Sequence, residues 1–207
     1  MALPDALPAR VPVSLYQSIA LRLRWGAALV RGLSRVSTPK ASEDPRWVTF
    51  DNRAWRRHRD ALLGRGFDAA DNPAQLDRRL ARLQLMYAAD PDAAILAHRF
   101  GFAQLPGEQH KFAGCDTPAA FLDAMRTLDG QAHCFVAFVR SSQRLLQLGR
   151  RLDPTKRARR GHGTWRLGDY SEIAAIWAGA RHGSLDKRLL LHVDFAMKDG
   201  GDHAAVG

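Results

Sequence analysis

At 207 residues and 46% apolar side chains, the chain is long enough for one compact domain with a real core. Its 31 Lys and Arg outweigh 21 Asp and Glu, and the formal charge of +10 favours anionic partners such as cell wall, nucleic acid or an acidic protein. Two cysteines, Cys115 and Cys134, are too few for a disulfide scaffold or a cysteine-only zinc site; no apolar run of about 18 residues allows membrane insertion, and the first ten residues lack a Sec signal, so synthesis in the cytoplasm is expected.

Residues 1–13 read as an extension. From Ser14 to Leu33, the residues Leu15, Ile19, Leu23, Ala27, Val30 and Leu33 recur at steps of three or four, the period of one helix face. Ser34 to Arg46 gathers Ser37, Thr38, Pro39, Ser42, Asp44 and Pro45, a breaker-rich composition that reads as a loop. Trp47 to Phe50 suits a short extended piece, and Asp51 is placed to cap a helix carrying Trp55, His58 and Leu62. Gly64 and Gly66 stop that helix. The next one sets Leu76, Leu80, Leu83 and Tyr87 on one face, with Arg78, Arg79 and Arg82 displaced onto a solvated face.

Asp90-Pro91 opens a short helix to about His98, because proline at the first helical position costs no hydrogen bond. Phe100 to Gly107 follows as a tight backbone segment that would line a cleft. Thr117-Pro118 opens a helix with Phe121, Met125 and Leu128 inside, and Gln131 to about Gly149 is apolar around much of its circumference, which assigns it to the centre of the fold. Arg150 to Gly163 reads as an exposed basic loop around Pro154. Two last helices carry Ile173, Ile176 and Trp177, then Leu185, Leu189, Val193 and Ala196. The expected architecture is mostly α: a single helical domain over 14–198 with at most a short β-hairpin, and a frayed tail over 199–207.

The order of these segments resembles the phage-type N-acetylmuramidase domain, a family of lysozyme-like peptidoglycan hydrolases, over Ser14 to Met197. Phe100 through Gly107 resembles the family's W-G-x-x-Q-x-x-G turn, and Pro118 through Met125 its S-x-x-x-F-x-x-A-M helix. Gln131 to Ser141 resembles the helix written Q-L-x-x-F-V-x-F-I, and Asp186-Lys187 echoes Y-D-x-K-L. The resemblance implies a lysozyme-like fold and peptidoglycan as the ligand class.

The positions that carry the family's chemistry depart from its pattern. Counting back from Phe50, the general-acid glutamate of an E-x-E-S-like segment falls on Ser34. A hydroxyl cannot protonate a glycosidic oxygen, and positioned acid–base catalysis is worth roughly 10²–10⁴ in rate. Arg99 replaces a serine before the tight turn, and Trp177 to His182 replaces Y-N-G-x-G-Y, leaving a degenerate cleft of Ser34, Arg99, Gln104, Trp177, Ala178 and His182. Asp51 matches the glutamate of F-E-R-H, and an acid relocated within this chain would be Asp51, Glu43 or Asp44.

None of the eight histidines makes an H-x-x-x-H pair, and no phosphate loop or nucleophile elbow occurs, so neither metal nor cofactor is expected. Arg150, Arg151, Lys156, Arg157, Arg159, Arg160 and Arg166 form a basic surface near Trp165. Without a helix-turn-helix, zinc finger or RNA-binding sheet, nucleic acid is only a minor alternative for that surface. The expected function is a lysozyme-like protein without catalysis that binds peptidoglycan or an acidic protein. Such a partner would be an effector, a cognate muramidase or another component of a phage particle or contractile secretion system, which would also deliver the chain. The alternative is an active muramidase with a relocated carboxylate.

Overall fold

The computed structural model describes residues 7–8, 10–23, 30–31, 44–63 and 73–152. The chain divides into two compact units, the first from residues 1–12 and 40–135 and the second from residues 13–39 and 136–207. In the second, helix α1 (Val13–Leu23) buries Leu15, Tyr16, Ile19, Ala20 and Leu23. That spacing is the apolar stripe read from the sequence, and Val30 further on is buried as well.

The first unit runs through β1 (Val48–Phe50), α2 (Asn52–Leu63), α3 (Leu76–Ala89), α4 (Pro91–Leu96), β2 (His98–Phe100), β3 (Leu105–Pro106), a 3-10 turn (Gly107–Gln109) and α5 (Pro118–Met125). It ends in the first turns of α6 (Leu128–Leu152). Three helix starts have local causes. Asp51 Oδ1 accepts from Ala54 N–H at 3.2 Å, Asp90 Oδ1 from Ala93 N–H at 2.9 Å, and Thr117 Oγ1 from Ala120 N–H at 3.1 Å. Each cap contributes about 1 kcal/mol, and proline occupies the first helical position of α4 and α5, where its missing donor is harmless.

The three strands pair antiparallel in the order β1-β2-β3, with Val48, Thr49 and Phe50 opposite Phe100, Arg99 and His98, and Phe100 opposite Leu105. The sequence allows at most a short hairpin without placing it; the described residues form a sheet of three strands, in which β2–β3 is a hairpin and β1 joins it. Where the sequence carries a helix on to His98, α4 stops at Leu96 and His98 opens β2. The sheet's inner rings continue into the core: Phe50 lies 5.3 Å from Trp55 and 5.2 Å from His98, and Phe100 lies 5.8 Å from Phe121. Burying each phenylalanine stabilises the unit by about 2–3 kcal/mol.

The arginines of α3 divide. Arg78 is exposed, as a solvated face requires. Arg79 instead donates to Val48 O at 3.1 Å and Pro73 O at 2.5 Å, with its guanidinium 4.7 Å from the Trp47 ring centre, and Arg82 lies 5.2 Å over Phe50. Burial lowers the Arg79 pKa from its ordinary value. The solvated-face reading is therefore corrected for these two: the flank of β1 offers aromatic faces and a carbonyl on which an arginine stem can lie.

A second correction concerns α6, which begins at Leu128 and runs through Leu152. Arg150 and Arg151 thus belong to a helix and not to the basic loop. Nothing before Pro154 breaks the ladder, and proline disfavours helical backbone only from the residue preceding it. Most of the 34–46 loop, Gly64, Gly66, residues 153–166, both last helices and the tail lie outside the described residues.

Candidate functional site

Asp51 occupies the single-residue junction between β1 and α2. Its N–H donates to Ala97 O at 2.8 Å, fixing the junction to the entry of β2. One carboxylate oxygen caps α2, as the sequence suggests. The other, Oδ2, receives Arg99 Nε at 2.7 Å and Nη2 at 2.6 Å. The two side chains are only 10% and 14% exposed, so residues singled out from separate motifs form one buried ion pair. A guanidinium and a helix N-terminus both interact favourably with a carboxylate at this position.

Asp44 is engaged locally. Arg46 reaches it through its backbone N–H at 2.9 Å, Nε at 3.0 Å and Nη2 at 2.8 Å, in the turn that leads into β1. Ser34, Glu43, Trp177, Ala178, His182, Lys156, Arg157, Arg159, Arg160 and Arg166 lie outside the described residues.

Gln104, expected to face a groove, is fully buried. Its Nε2 donates to Trp47 O at 3.0 Å and to Gly101 O at 2.8 Å, and its backbone holds a φ of +51°. Left-handed backbone at a non-glycine residue costs on the order of 1–3 kcal/mol and persists where neighbours over-determine it. The amide bracing the tight segment against the approach to β1 does so here.

Sequence reasoning missed Gln131 as a site residue. Its buried Nε2 donates to Pro45 O at 2.8 Å and Met125 O at 2.7 Å, while Oε1 accepts from Phe102 N–H at 3.1 Å. One amide thus ties together the approach to β1, the tight segment and the end of α5. The available signal was a polar side chain at the start of an otherwise apolar helix, since a buried amide must find partners.

A second cluster was also missed. Glu108, on the 3-10 turn, accepts from Arg57 through both carboxylate oxygens and lies 2.9 Å from His58 Nε2. Burial pushes the Glu108 carboxyl up, but the hydrogen bond and charge of Arg57, helped by His58, outweigh it and hold the group below the usual carboxylate range. Beside it, Arg57, His58, Asp60, Asp90, Asp92, Ala93 and Leu96 line a surface cavity of about 290 Å³. Glu108 is therefore an anion at neutral pH and no substitute acid.

His98 is a core histidine, 2% exposed, with Nδ1 2.7 Å from Ala94 O. Burial, with a smaller push from Arg82 against the opposing Ala94 contact and Asp51 charge, lowers its pKa from 6.5 to about 4. Above pH 6.5 both folded and unfolded states carry it neutral, and its full contribution to stability is present. As pH falls from 6.5 to about 4 the unfolded state takes a proton that the folded state refuses, so stability drops, by about 3 kcal/mol in total. The His98→Phe variant is expected to lack this part of the slope in urea unfolding across that window; equal slopes in the two proteins would refute a buried neutral imidazole.

With this geometry in view, a family model of N-acetylmuramidases matches residues 31–186. The chain belongs to the N-acetylmuramidase family. Among solved structures it is similar to the crystal structure of the Burkholderia AP3 phage endolysin, with a TM-score of 0.59 at 20% identity over 93% of this chain and 72% of that one. The fold is thus lysozyme-like and mostly helical, as the sequence leads one to expect. No match was found among curated proteins.

Membership of the muramidase family gives the Asp51–Arg99 pair its interest. On the motif resemblance, Asp51 stands at the F-E-R-H glutamate and Arg99 at the serine before the tight turn, and the cation has closed onto the carboxylate. Among the described residues of this muramidase-family chain no cluster of His, Cys, Asp and Glu could hold a metal ion, and no helix is long and apolar enough to cross a membrane.

Proposed function

We propose that this N-acetylmuramidase-family protein binds peptidoglycan without cleaving it, in a phage or contractile secretion setting. The observation that carries the reading is the Asp51–Arg99 pair. The carboxylate nearest to a family motif is engaged by a guanidinium and as a helix cap. Asp44 is likewise taken up by Arg46. Ser34, at the acid position by motif spacing, supplies only a hydroxyl. What remains of the family's inheritance is the ligand class, and a charge of +10 suits an anionic glycan matrix.

The test is one experiment on purified sacculi with two readouts. Muropeptide release is expected to stay at the level of a heat-killed control, while the protein co-sediments with the sacculi. Ser34→Glu alone is expected not to restore release, because residues acting as a unit are not additive. Release by the wild-type protein that disappears in Glu43→Ala would show an active muramidase with a relocated acid and overturn the proposal. Replacing Lys156, Arg157, Arg159 and Arg160 with Ser is expected to slow association and flatten its salt dependence, as rim charges do.

A further inference from the structure

Cys115 and Cys134 lie 19 positions apart in sequence, yet their Sγ atoms are 3.7 Å apart, two thiols in van der Waals contact. Structured backbone holds each of them. Cys115 N–H donates to His110 O at 2.9 Å, closing the loop that follows the 3-10 turn, and Cys134 lies in the first turns of α6, one residue from the core ring of Phe135. Cys134 is fully buried whereas Cys115 is partly open to solvent. A disulfide needs the sulfurs at about 2.05 Å, so the two Sγ atoms have under about 2 Å left to close.

We infer that Cys115 and Cys134 are a disulfide-forming modification site, in which Cys115 meets an external disulfide and Cys134 resolves the adduct. The oxidant is a disulfide of the glutathione class or that of a CxxC thiol oxidase. The Cys115 thiolate attacks one of its sulfurs, expelling a thiolate and leaving a mixed disulfide on Cys115. Cys134, after losing its proton, then attacks the Cys115 sulfur and expels the second thiolate. Two protons and two electrons leave the protein, the oxidant becomes two thiols, and a cross-link spans α5. The exposure asymmetry sets this order, since only Cys115 can be reached first. Burial raises the pKa of both thiols, that of Cys134 to about 12, so the uncatalysed reaction is slow and accelerates with pH. Reducing compartments keep the pair as thiols, and oxidising ones such as the bacterial periplasm close it. None of this rests on the glycan-binding reading.

The experiment incubates the reduced full-length protein with oxidised glutathione at pH 8, quenches with acid and measures intact mass. The expected product has lost two hydrogen masses, has no alkylatable thiol and yields a peptide joining Cys115 to Cys134. Its melting temperature rises by several degrees, on the order of 5–10 °C for a loop of this length. Cys134→Ala is expected to stop at a glutathione adduct on Cys115, and Cys115→Ser to remain reduced. Wild-type protein that ends as the Cys115 adduct, or that keeps both thiols, overturns the inference; because the wild type alone decides, a poorly folding variant does not matter.

Discussion

Asp51→Ala is expected to destabilise the protein by about 3–5 kcal/mol, the cost of breaking a largely buried ion pair by removing one partner. About 1 kcal/mol of that belongs to the lost cap of α2. The remainder comes from Arg99, whose side chain is only 14% exposed and cannot simply turn to water. Asp51→Asn separates the two contributions, because asparagine caps a helix as well as aspartate but carries no charge. It is expected to retain the cap and still cost at least about 2 kcal/mol, the low end for breaking a charged hydrogen bond in a buried site. Adding Arg99→Met to Asp51→Asn removes the buried guanidinium as well and should recover much of the loss, giving a sizeable coupling energy in urea unfolding. If Asp51→Asn costs nothing measurable, the pair is screened by solvent and Arg99 does not hold the Asp51 carboxylate.

Helix starts were legible because their causes are local. Asp51, Asp90 and Thr117 each cap the helix that follows, and Pro91 and Pro118 need only their own ring geometry to explain where they sit. The amphipathic face of α1 was equally readable, since Leu15, Ile19 and Leu23 repeat within one element. Strand β2 was not. Three residues show no alternation that distinguishes them from the end of a helix, and what makes His98 to Phe100 a strand is pairing on two sides, with β1 about fifty positions earlier and with β3. Arg79 and Arg82 failed for a related reason: a helical wheel separates faces but does not say that Trp47 and Phe50 will cover one of them.

The candidate site divides in the same way. Asp51 and Arg99 were each found by position in a motif, and sequence could not reveal that one neutralises the other across the sheet. Gln104 was found through its G-x-x-Q spacing, but spacing does not encode its full burial. Gln131 was passed over altogether. Its three partners, Pro45, Phe102 and Met125, come from three different segments, and no local pattern marks a residue whose role is to join them.

That junction supports the second large prediction, which concerns Gly101 and Gln131 together. Gly101 has a φ of +72°, and a Cβ there would lie 2.5 Å from Gln131 Oε1 and 2.8 Å from its Cδ. Gly101→Ala therefore carries two costs. Left-handed backbone at alanine costs about 1–2 kcal/mol by itself. The clash adds more, since the amide can retreat only by surrendering Phe102 N–H or the carbonyls of Pro45 and Met125. Each buried group left unpaired costs about 1–3 kcal/mol, so the single variant is expected to lose on the order of 3–5 kcal/mol. Gln131→Ala should lose a comparable amount, by removing all three hydrogen bonds at once. Combined, the two substitutions should cost well under their sum, because without the amide the contacts at 2.5 and 2.8 Å are gone and Gly101→Ala adds chiefly its backbone penalty of about 1–2 kcal/mol. Urea unfolding of the four proteins measures this directly. Additive losses would mean that Gly101 is needed for its backbone angle alone and that Gln131 does not brace the tight segment.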